Sequence, residues 1–549
     1  MAPRSFLSLP FELRHMIYKY YFTTKQGYHF NPTSRKLTAA HGEPIDLALM
    51  YTCRFIAGEI KEMPFLYNHI CFKTFYQKDL SVWLCRFNWL VAAQFRKQIQ
   101  LLVQLSPFIT PEIHFRVKER FPWFVASLSS ALTYHNNPGL DWRDRFDIYP
   151  NNRARSAHRE AIEFTLRLLC EGSGEQFIDT TNESLVGWEY SGGARLSNFL
   201  DRCYEPWRFP SLLSDLEEMG HRLGDHKAWP SITSWETSGL HNMQYRSRYR
   251  FSAVSTAIGF LDALPINKRS SLRNITISED RTSAGEPDGH AIGLIPFRQE
   301  NGRLRIKHKF SMVRNIFQRA YKSESEPEDN CSSEIMFRFA GMNLYAVVGN
   351  CLAEAMYLPD AGMPDGSYTL LLDGEDAGDL CSAFFQQEVL KKEARWLVLD
   401  RALKEDPNSA WADDYLYETR LLLEGHAGAL AHLCNKTSFF ESNFYPGHLD
   451  NVDALMAHYR GVGLERCIDE LVFGDMEYDY DFESFSHVPR WGPMVMENFE
   501  WRKLPEDRPI PWGVAPKAAT ITGALGGVLI LWLLAVGSSV AGPRLHWIK

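Results

Sequence analysis

The sequence predicts a helix-rich α+β protein with N-terminal helices, an α/β body of irregular helix–strand alternation and a C-terminal transmembrane helix. Three observations predict this fold class. Apolar residues near the N-terminus recur at helical spacing, the centre of the chain alternates such segments with strand-like segments of period two, and residues 518–542 carry no charge. Helices and strands that follow one another in turn are typical of an α/β or α+β body.

The first predicted helix begins at Pro10 and runs to Phe22. Pro10 suits the first helical position, because its missing N–H costs nothing there, and Glu12 lies in the first turn, where the helix dipole favours an anion. On periodicity alone this is the first core helix of a globular protein. One broad apolar face is predicted from the spacing of Leu9, Leu13, Met16, Ile17, Tyr20 and Tyr21.

A second helix is expected from about Leu47 to Met63. Asp46 can cap its first turn, and Pro64 is expected to stop it. Its apolar stripe consists of Leu49, Cys53, Ile56 and Ile60.

These two segments together resemble an F-box, an adaptor-docking module, in the LP-x-ELR-x-x-IY form frequent in fungal proteins. Residues 9–18 carry that pattern, residues 52–55 resemble a segment of F-box second helices, and residues 66–72 resemble the closing segment of the fungal variants. The resemblance covers about residues 8–75. It departs from an ordinary F-box in the long connection 23–43, and also in Tyr18 and Tyr21, which replace the more usual Phe and Leu.

The resemblance implies an adaptor-facing surface rather than a chemical reaction. It implies that the N-terminal module binds a Skp-type adaptor of a cullin ubiquitin ligase, while the body selects an unknown protein substrate. The adaptor-binding residues that it implies are Leu9, Pro10, Leu13, Ile17, Leu47, Cys53 and Phe55.

The middle of the chain is predicted to fold as a helical segment followed by the α/β body. The predicted units are an F-box-like helical module at 1–76, the helical segment at 77–150, the body at 151–510 and the transmembrane helix at 518–542. In the body, residues 303–310 alternate basic and apolar side chains, which predicts a strand with one wet face. The body resembles an irregular solenoid by analogy only, because it has no repeat of fixed period.

The C-terminal segment contradicts a plain soluble protein. Residues 518–542 form an uncharged run of 25 residues between Lys517 and Arg544. A helix of that length spans roughly 37 Å, enough to cross the hydrocarbon core. The sequence therefore predicts a single-pass, tail-anchored membrane protein whose N-terminal body is cytosolic. A buried core helix or an unselected tail is the alternative.

The composition limits the classes of function. Of 549 residues, 45% are hydrophobic and 23% charged, which is typical of a globular chain. The net charge of −8 gives no support for a nucleic-acid partner, since phosphates demand a basic face. Ten cysteines are scattered without a Cys-x-x-Cys pair, and the N-terminal residues do not predict a signal peptide, so we expect reduced thiols.

Three clusters are candidates for chemistry or binding, and each has a simpler structural interpretation. One cluster, which follows an apolar strand, consists of the carboxylates of Asp373, Glu375, Asp376 and Asp379. These residues suit metal binding or acid–base catalysis, but they equally suit a turn followed by a helix cap. Residues 475–483 alternate acidic and apolar side chains, which favours a solvated face. Residues 245–251 interleave arginines with aromatics, as nucleic-acid surfaces do, but packing is favoured there.

We therefore predict a non-enzymatic interaction protein with no catalytic, cofactor-binding or metal-binding residues. Two alternatives remain: a membrane-tethered enzyme that uses the carboxylates at 373–379, and a scaffold whose N-terminal helices are only core. The exposure of particular side chains distinguishes these alternatives. Exposure of Leu9, Pro10, Leu13 and Ile17 would favour adaptor docking, whereas a cleft with convergent carboxylates near Asp376 would favour an enzyme.

Overall fold

The computed structural model describes residues 6–40, 42–137, 153–171, 174–186, 196–210, 212–221, 245–323, 337–339, 341–406, 425–472, 494 and 497–501. It is an α+β fold, helix-rich around a mixed seven-stranded sheet. The strands are β1 (Tyr28–Asn31), β2 (Lys36–Ala39), β3 (His69–Lys73), β4 (Phe75–Tyr76), β5 (Tyr245–Ser247), β6 (Arg250–Phe251), β7 (Asn274–Glu279), β8 (Arg305–Ser311), β9 (Tyr321–Ser323), β10 (Phe337–Phe339), β11 (Tyr368–Asp373), β12 (Phe440–Ser442) and β13 (Phe499–Trp501).

The α-helices of the described residues fall into three groups. The N-terminal module contains α1 (Phe11–Phe22), α2 (Arg54–Ile60) and α3 (Met63–Tyr67). A helical lobe contains α4 (Ser81–Leu105), α5 (Pro111–Arg120), α6 (Val125–Asn136), α7 (Arg155–Leu169), α8 (Glu175–Ser184), α9 (Leu196–Leu200) and α10 (Leu213–His221). The sheet body adds α11 (Ala253–Ala263), α12 (Ile266–Arg269), α13 (Ile295–Glu300), α14 (Phe317–Ala320), α15 (Gly341–Tyr357), α16 (Gly378–Phe384), α17 (Lys391–Glu405), α18 (His426–Asn435), α19 (Val452–Val462) and α20 (Leu464–Val472).

The large sheet has the order β12-β11-β8-β7-β3-β1-β2. Its neighbouring strands from β12 to β1 are parallel, and only β2 runs antiparallel to its neighbour. The order follows the chain from β1 to β12, so each crossover moves the chain in one direction across the sheet. Because such crossovers are almost always right-handed, we expect their helices to cover the same face.

One face of the sheet is buried and the other is partly open. In β8 the residues Ile306, His308 and Phe310 are buried, whereas Lys307 and Lys309 between them are partly exposed. The predicted wet face of residues 303–310 is therefore confirmed. The same alternation continues in β7, where buried isoleucines flank a half-buried Thr276.

Each group of helices has its own apolar core. The sheet body packs residues such as Ile277, Val348 and Trp396 beneath the buried face. The helical lobe packs around α4, and the N-terminal module has a small cluster formed by Tyr18, Phe22, Ile56, Ile60 and Met63. The helical lobe extends along the chain from α4 to α10, so the predicted domain boundary at residue 150 falls inside it.

The predicted second helix, Leu47 to Met63, is wrong. The chain forms a short 3₁₀ turn (Ala48–Tyr51), then α2, then α3. Cys53 is extended, with φ of −159°, so it interrupts the helix and serves as the N-cap of α2. Pro64 lies in the first turn of α3 rather than ending a helix. Asp46 Oδ1 accepts from the Ala48 N–H at 2.9 Å, but the N-cap of this turn is Leu47, and the long helix that Asp46 is predicted to cap does not form.

The predicted transmembrane helix requires a correction. None of the helices formed by the described residues is long and apolar enough to cross a membrane. The longest of them, α4, carries Arg86, Arg96 and Lys97 and buries one side in the helical lobe. The predicted span at 518–542 lies outside the described residues. The predicted tail-anchored membrane localisation is therefore not supported, and the fold class that the described residues show is helix-rich α+β.

Candidate functional site

Helix α1 turns its most apolar face outward. Leu13 and Ile17 are 46% and 44% exposed, and Met16 and Tyr20 are 66% and 89% exposed. At 100° per residue these four side chains share an arc of roughly 100°, which we call the docking face. The apolar face predicted from spacing thus exists, but it does not form the core.

The buried side of α1 is unusually polar. It consists of Arg14, Tyr18 and Phe22, spaced four residues apart. Arg14 Nε donates to Glu59 Oε2 at 3.1 Å, and the Tyr18 hydroxyl donates to the same oxygen at 2.8 Å. These hydrogen bonds lock α1 against α2, because both charged partners are largely buried. The hydrogen bond from Arg14 holds the pKa of Glu59 below its usual range.

The arginine of the LP-x-ELR pattern therefore has a structural role. Its Nη1 also donates to the carbonyl of Leu9, which fixes the chain as it enters α1. Burial raises the pKa of Tyr18 to about 12, so its hydroxyl stays protonated as a donor. The polar network occupies one side of α1, and its apolar side chains are left on the opposite side.

The predicted adaptor-binding residues divide into two sets. Pro10, Leu13, Ile17 and Phe55 are exposed. The half-buried set is Leu9, Leu47 and Cys53, of which Leu47 and Cys53 pack against the module's core.

The structure does not bring all the exposed predicted residues together. Leu13 and Ile17 lie on the docking face, whereas Leu9 and Pro10 precede the first turn of α1. Phe55 instead lies beside Arg14, which belongs to the buried side of α1: the Arg14 guanidinium is 5.2 Å from the centre of the Phe55 ring. The exposed Phe11 flanks the same guanidinium at 6.0 Å. The F-box resemblance groups Phe55 with the residues of α1, but a sequence motif does not indicate how a helix is rotated about its axis.

A cavity of about 710 Å³ lies between the helical lobe and the sheet body. It is lined by α4, α7, the segment 200–208, the loop 282–290 and α15. That loop follows β7, so the cavity sits past the carboxyl end of a parallel strand, a common location for ligands. Sequence reasoning missed the cavity, because its walls come from segments more than 200 residues apart in the chain.

The loop 282–290, whose last residues begin the 3₁₀ helix Pro287–Leu294, has a constrained backbone. Gly285 and Glu286 both adopt positive φ, 85° and 60°. A Cβ on Gly285 would lie 2.7 Å from the carbonyl oxygen of Pro206, so only glycine fits there. The Gly285 N–H donates to Asn88 Oδ1 of α4 at 2.8 Å, and this contact joins the loop to the helical lobe.

The imidazole of His290 holds the far end of the loop. Its Nδ1 lies 2.7 Å from Ser252 Oγ, and its Nε2 lies within hydrogen-bond distance of the Gly285 carbonyl. Burial lowers the pKa of His290 to about 4, so the ring is neutral near pH 7. A neutral ring donates from Nε2 and accepts at Nδ1, which satisfies both contacts.

Ion pairs fix the charged groups of the cavity wall. Arg155 Nη1 lies 2.9 Å from Glu286 Oε1, and Arg319 forms a two-pronged pair with Asp288. The Cys351 thiol donates to Asp288 Oδ1 at 2.8 Å. Burial pushes the pKa of Asp288 upward, but the positive charge and hydrogen bonds of Arg319 outweigh it and hold that pKa below its usual range.

The carboxylates at 373–379 form a turn rather than a converging site. Asp373 Oδ1 accepts from the Glu375 N–H at 3.0 Å and from Asn443 Nδ2 at 2.6 Å. Asp376 and Asp379 are exposed, and the N-cap of α16 is Ala377, so a cap by either aspartate is wrong. Across the described residues, no group of three His, Cys, Asp or Glu side chains could hold a metal ion.

The remaining two sequence clusters divide between packing and the undescribed part of the chain. Arg248 and Arg250 donate to the carbonyl of Glu497, at 3.2 and 2.6 Å, and Arg250 donates to Asn498 Oδ1 at 2.9 Å. These arginines hold the segment that leads into β13. The acidic segment 475–483 lies outside the described residues.

Comparison with known proteins adds no relative to this picture. No family model, no curated protein and no solved structure matches the chain. The resemblance to fungal F-boxes therefore gains no support from relatives. It depends on the motif and on the geometry of α1.

Proposed function

We propose that this chain is a non-enzymatic interaction protein that binds a Skp-type adaptor through α1, in the manner of an F-box. The sheet body would then select a protein substrate for the associated cullin ligase. The observation that carries this proposal is the docking face: four adjacent apolar side chains of α1 face solvent while an arginine and a tyrosine are buried beneath them.

The energetics of the docking face favour a partner. Single exposed apolar residues are common on protein surfaces, but contiguous ones mark interaction sites. Burying a fully exposed apolar side chain contributes roughly 1.5–3 kcal/mol. These four are between 44% and 89% exposed, so together they offer on the order of 5 kcal/mol to a complementary groove. An amphipathic helix whose apolar face enters a groove is a frequent mode of recognition.

The long connection that departs from an ordinary F-box has a structural explanation. Residues 23–43 contain β1 and β2, which form a hairpin, and β1 pairs with β3 at the edge of the large sheet. The insertion thus joins the N-terminal module to the sheet. A docked adaptor would be held in a fixed orientation relative to the body.

Asn68 strengthens this junction. Its Nδ2 donates to the carbonyls of Phe22 and Pro64 at 2.8 and 3.0 Å, and its Oδ1 accepts from the Thr24 N–H at 2.8 Å. Asn68 is 1% exposed, and its side chain joins the end of α1, the first turn of α3 and the segment that leads into the hairpin. A rigid connection is what a recruiting protein requires, because the two partners must be held at a defined distance.

The partly open face of the sheet is the surface that we propose for substrate selection. It extends over several neighbouring strands. Its half-buried polar side chains, such as Thr276, Lys307 and Lys309, alternate along the strands with the side chains of the buried face. Lys307 pairs with Glu441 on β12 at 2.9 Å, so the face carries both signs of charge. Such a mixed face suits a protein partner better than a nucleic acid.

Affinity capture tests the proposal. The tagged full chain, expressed in cells, should retain a Skp-type adaptor and a cullin, whereas a chain carrying L13A and I17A should lose both. A matched control carries L132A and I178A, which remove equally exposed apolar side chains, 41% and 48%, from the helical lobe. If the unmutated chain retains no adaptor where a known F-box protein does, the N-terminal helices are only part of a scaffold.

A further inference from the structure

Glu354 is the exception among the acidic groups of the cavity between the helical lobe and the sheet body. Its Oε1 accepts from the Ser156 N–H at 3.0 Å, but its Oε2 has no hydrogen-bond partner among the described residues, and the residue is only 5% exposed. A buried acceptor without a donor is costly, and native proteins rarely leave one unless a ligand or water completes it.

Every other carboxylate of the cavity wall has an arginine partner. Glu286 pairs with Arg155, Asp288 with Arg319, and Glu205 with Arg208. The same holds for Glu160, Glu163 and Asp201, which pair with Arg120 and Arg167. Seven carboxylates but only five arginines line the cavity, so the wall carries an acidic excess.

The backbone beside Glu354 is shaped to leave room for its carboxyl group. A Cβ on Gly289 would lie 3.1 Å from Glu354 Oε2 and 2.5 Å from Ser156 Oγ. Gly289 lies in the 3₁₀ helix Pro287–Leu294 that follows the positive-φ residues Gly285 and Glu286, so a bare backbone lies against the carboxyl group. A side chain at this position would displace Glu354 or Ser156.

We propose that this cavity binds a small organic amine whose ammonium group donates to Glu354 Oε2. The volume of about 710 Å³ is suited to a small organic molecule. The wall also contains apolar side chains, among them Val91, Phe95, Trp207 and Ile292, which can cover the carbon skeleton. A metal ion fits less well, because the described residues supply no group of three suitable ligands.

The charge of the ligand follows from the charges around Glu354. Glu286 and Asp288 raise the electrostatic cost of a negative charge there, in addition to the cost of burial. An ammonium ion relieves both costs, whereas a carboxylate ligand would add to them and an alcohol would satisfy only the hydrogen bond. The cavity therefore discriminates by charge.

The test uses three probes of the same skeleton on the purified full chain. Phenethylamine carries the ammonium group, 2-phenylethanol is neutral, and 3-phenylpropionate is an anion. Isothermal titration at pH 8 should show binding of phenethylamine and none of the other two. Glu354→Gln should weaken that binding about tenfold, because it removes the charge and keeps the acceptor for Ser156.

A control and two outcomes complete the test. Glu171→Gln changes a carboxylate of the helical lobe that is 70% exposed and does not line the cavity, so its titration should match the unmutated chain. Equal binding of the alcohol would overturn the proposal, and so would undiminished amine binding by the Glu354 variant. A failure of phenethylamine to bind the unmutated chain would overturn it as well. None of these results bears on adaptor docking, which uses α1.

Discussion

Replacing Glu354 by Gln should stabilise the protein at alkaline pH. Burial raises the pKa of Glu354 to about 7, from an ordinary value of 4.5. Between these two values the folded chain binds a proton that the unfolded chain has released, so the contribution of Glu354 to stability falls as pH rises from 4.5 to 7. Glutamine keeps an oxygen for the Ser156 N–H and cannot ionise.

The magnitude follows from the size of the pKa shift. Each pKa unit corresponds to about 1.4 kcal/mol, so the difference between the two proteins at pH 8 should be on the order of 3 kcal/mol. At pH 4, where the carboxyl group is neutral in both the folded and the unfolded chain, the gain should vanish. Other titrating groups, such as His290, are common to both proteins and cancel in the difference.

Urea unfolding of both proteins at pH 4.5, 6 and 8 measures the effect. The midpoint of the Glu354→Gln protein should exceed that of the unmutated chain at pH 8, and the two should converge at low pH. Glu171→Gln, at an exposed position, should follow the unmutated chain throughout. A gain that does not depend on pH, or no gain at pH 8, would refute the reasoning that Glu354 is a buried acid without a charged partner.

Two further predictions concern buried polar groups. Burial lowers the pKa of His290 to about 4, so on acidification the unfolded chain binds a proton at this residue before the folded chain does. The free energy of unfolding should therefore fall by on the order of 3 kcal/mol between pH 7 and pH 4. His290→Gln should reduce this fall in urea unfolding, and an unchanged pH dependence would contradict the prediction. Glu59→Gln leaves Arg14 without its charged partner and should destabilise the N-terminal module. The effect is measured as faster amide hydrogen exchange in α1, and equal exchange would show that the pair is dispensable.

The sequence predicted the position of α1 but not its orientation. Spacing identifies which apolar residues share a face, and the helix does span the expected residues. Which face is buried depends on Glu59, which lies 45 residues from Arg14 in the chain and satisfies it across the α1–α2 contact. An ion pair between residues so far apart in the chain leaves no periodic pattern in the sequence. The polar side of α1 is therefore predicted to face solvent, although it is buried.

Strands were predicted well where alternation was strong and missed where they were short. The alternation at 303–310 predicted β8 (Arg305–Ser311), with the correct wet side. The hairpin of β1 and β2 was missed, because each strand has four residues and the connection 23–43 was interpreted only as a departure from the F-box pattern. The extended backbone of Cys53 was also unpredicted, since its side chain continued an apolar helical stripe.

The cavity could not have been predicted from the sequence. Glu354, Ser156 and Gly289 lie in three separate segments, and only the packing of the helical lobe on the sheet body brings them together. The single sequence signal was the turn-rich run at 282–290, with two glycines and a proline. That run predicts a loop and gives no indication of the carboxyl group beside it.

The most direct test of the proposed function is the affinity of the purified chain for a purified Skp-type adaptor, measured by isothermal titration. Leu13 and Ile17 lie next to each other on the docking face, and truncating two such residues at an interface costs roughly 3 kcal/mol, about a hundredfold in Kd. We expect tight binding by the unmutated chain, a loss of about that size with L13A and I17A, and no loss with L132A and I178A. No measurable binding by the unmutated chain, or equal losses for both variant pairs, would contradict adaptor docking through α1.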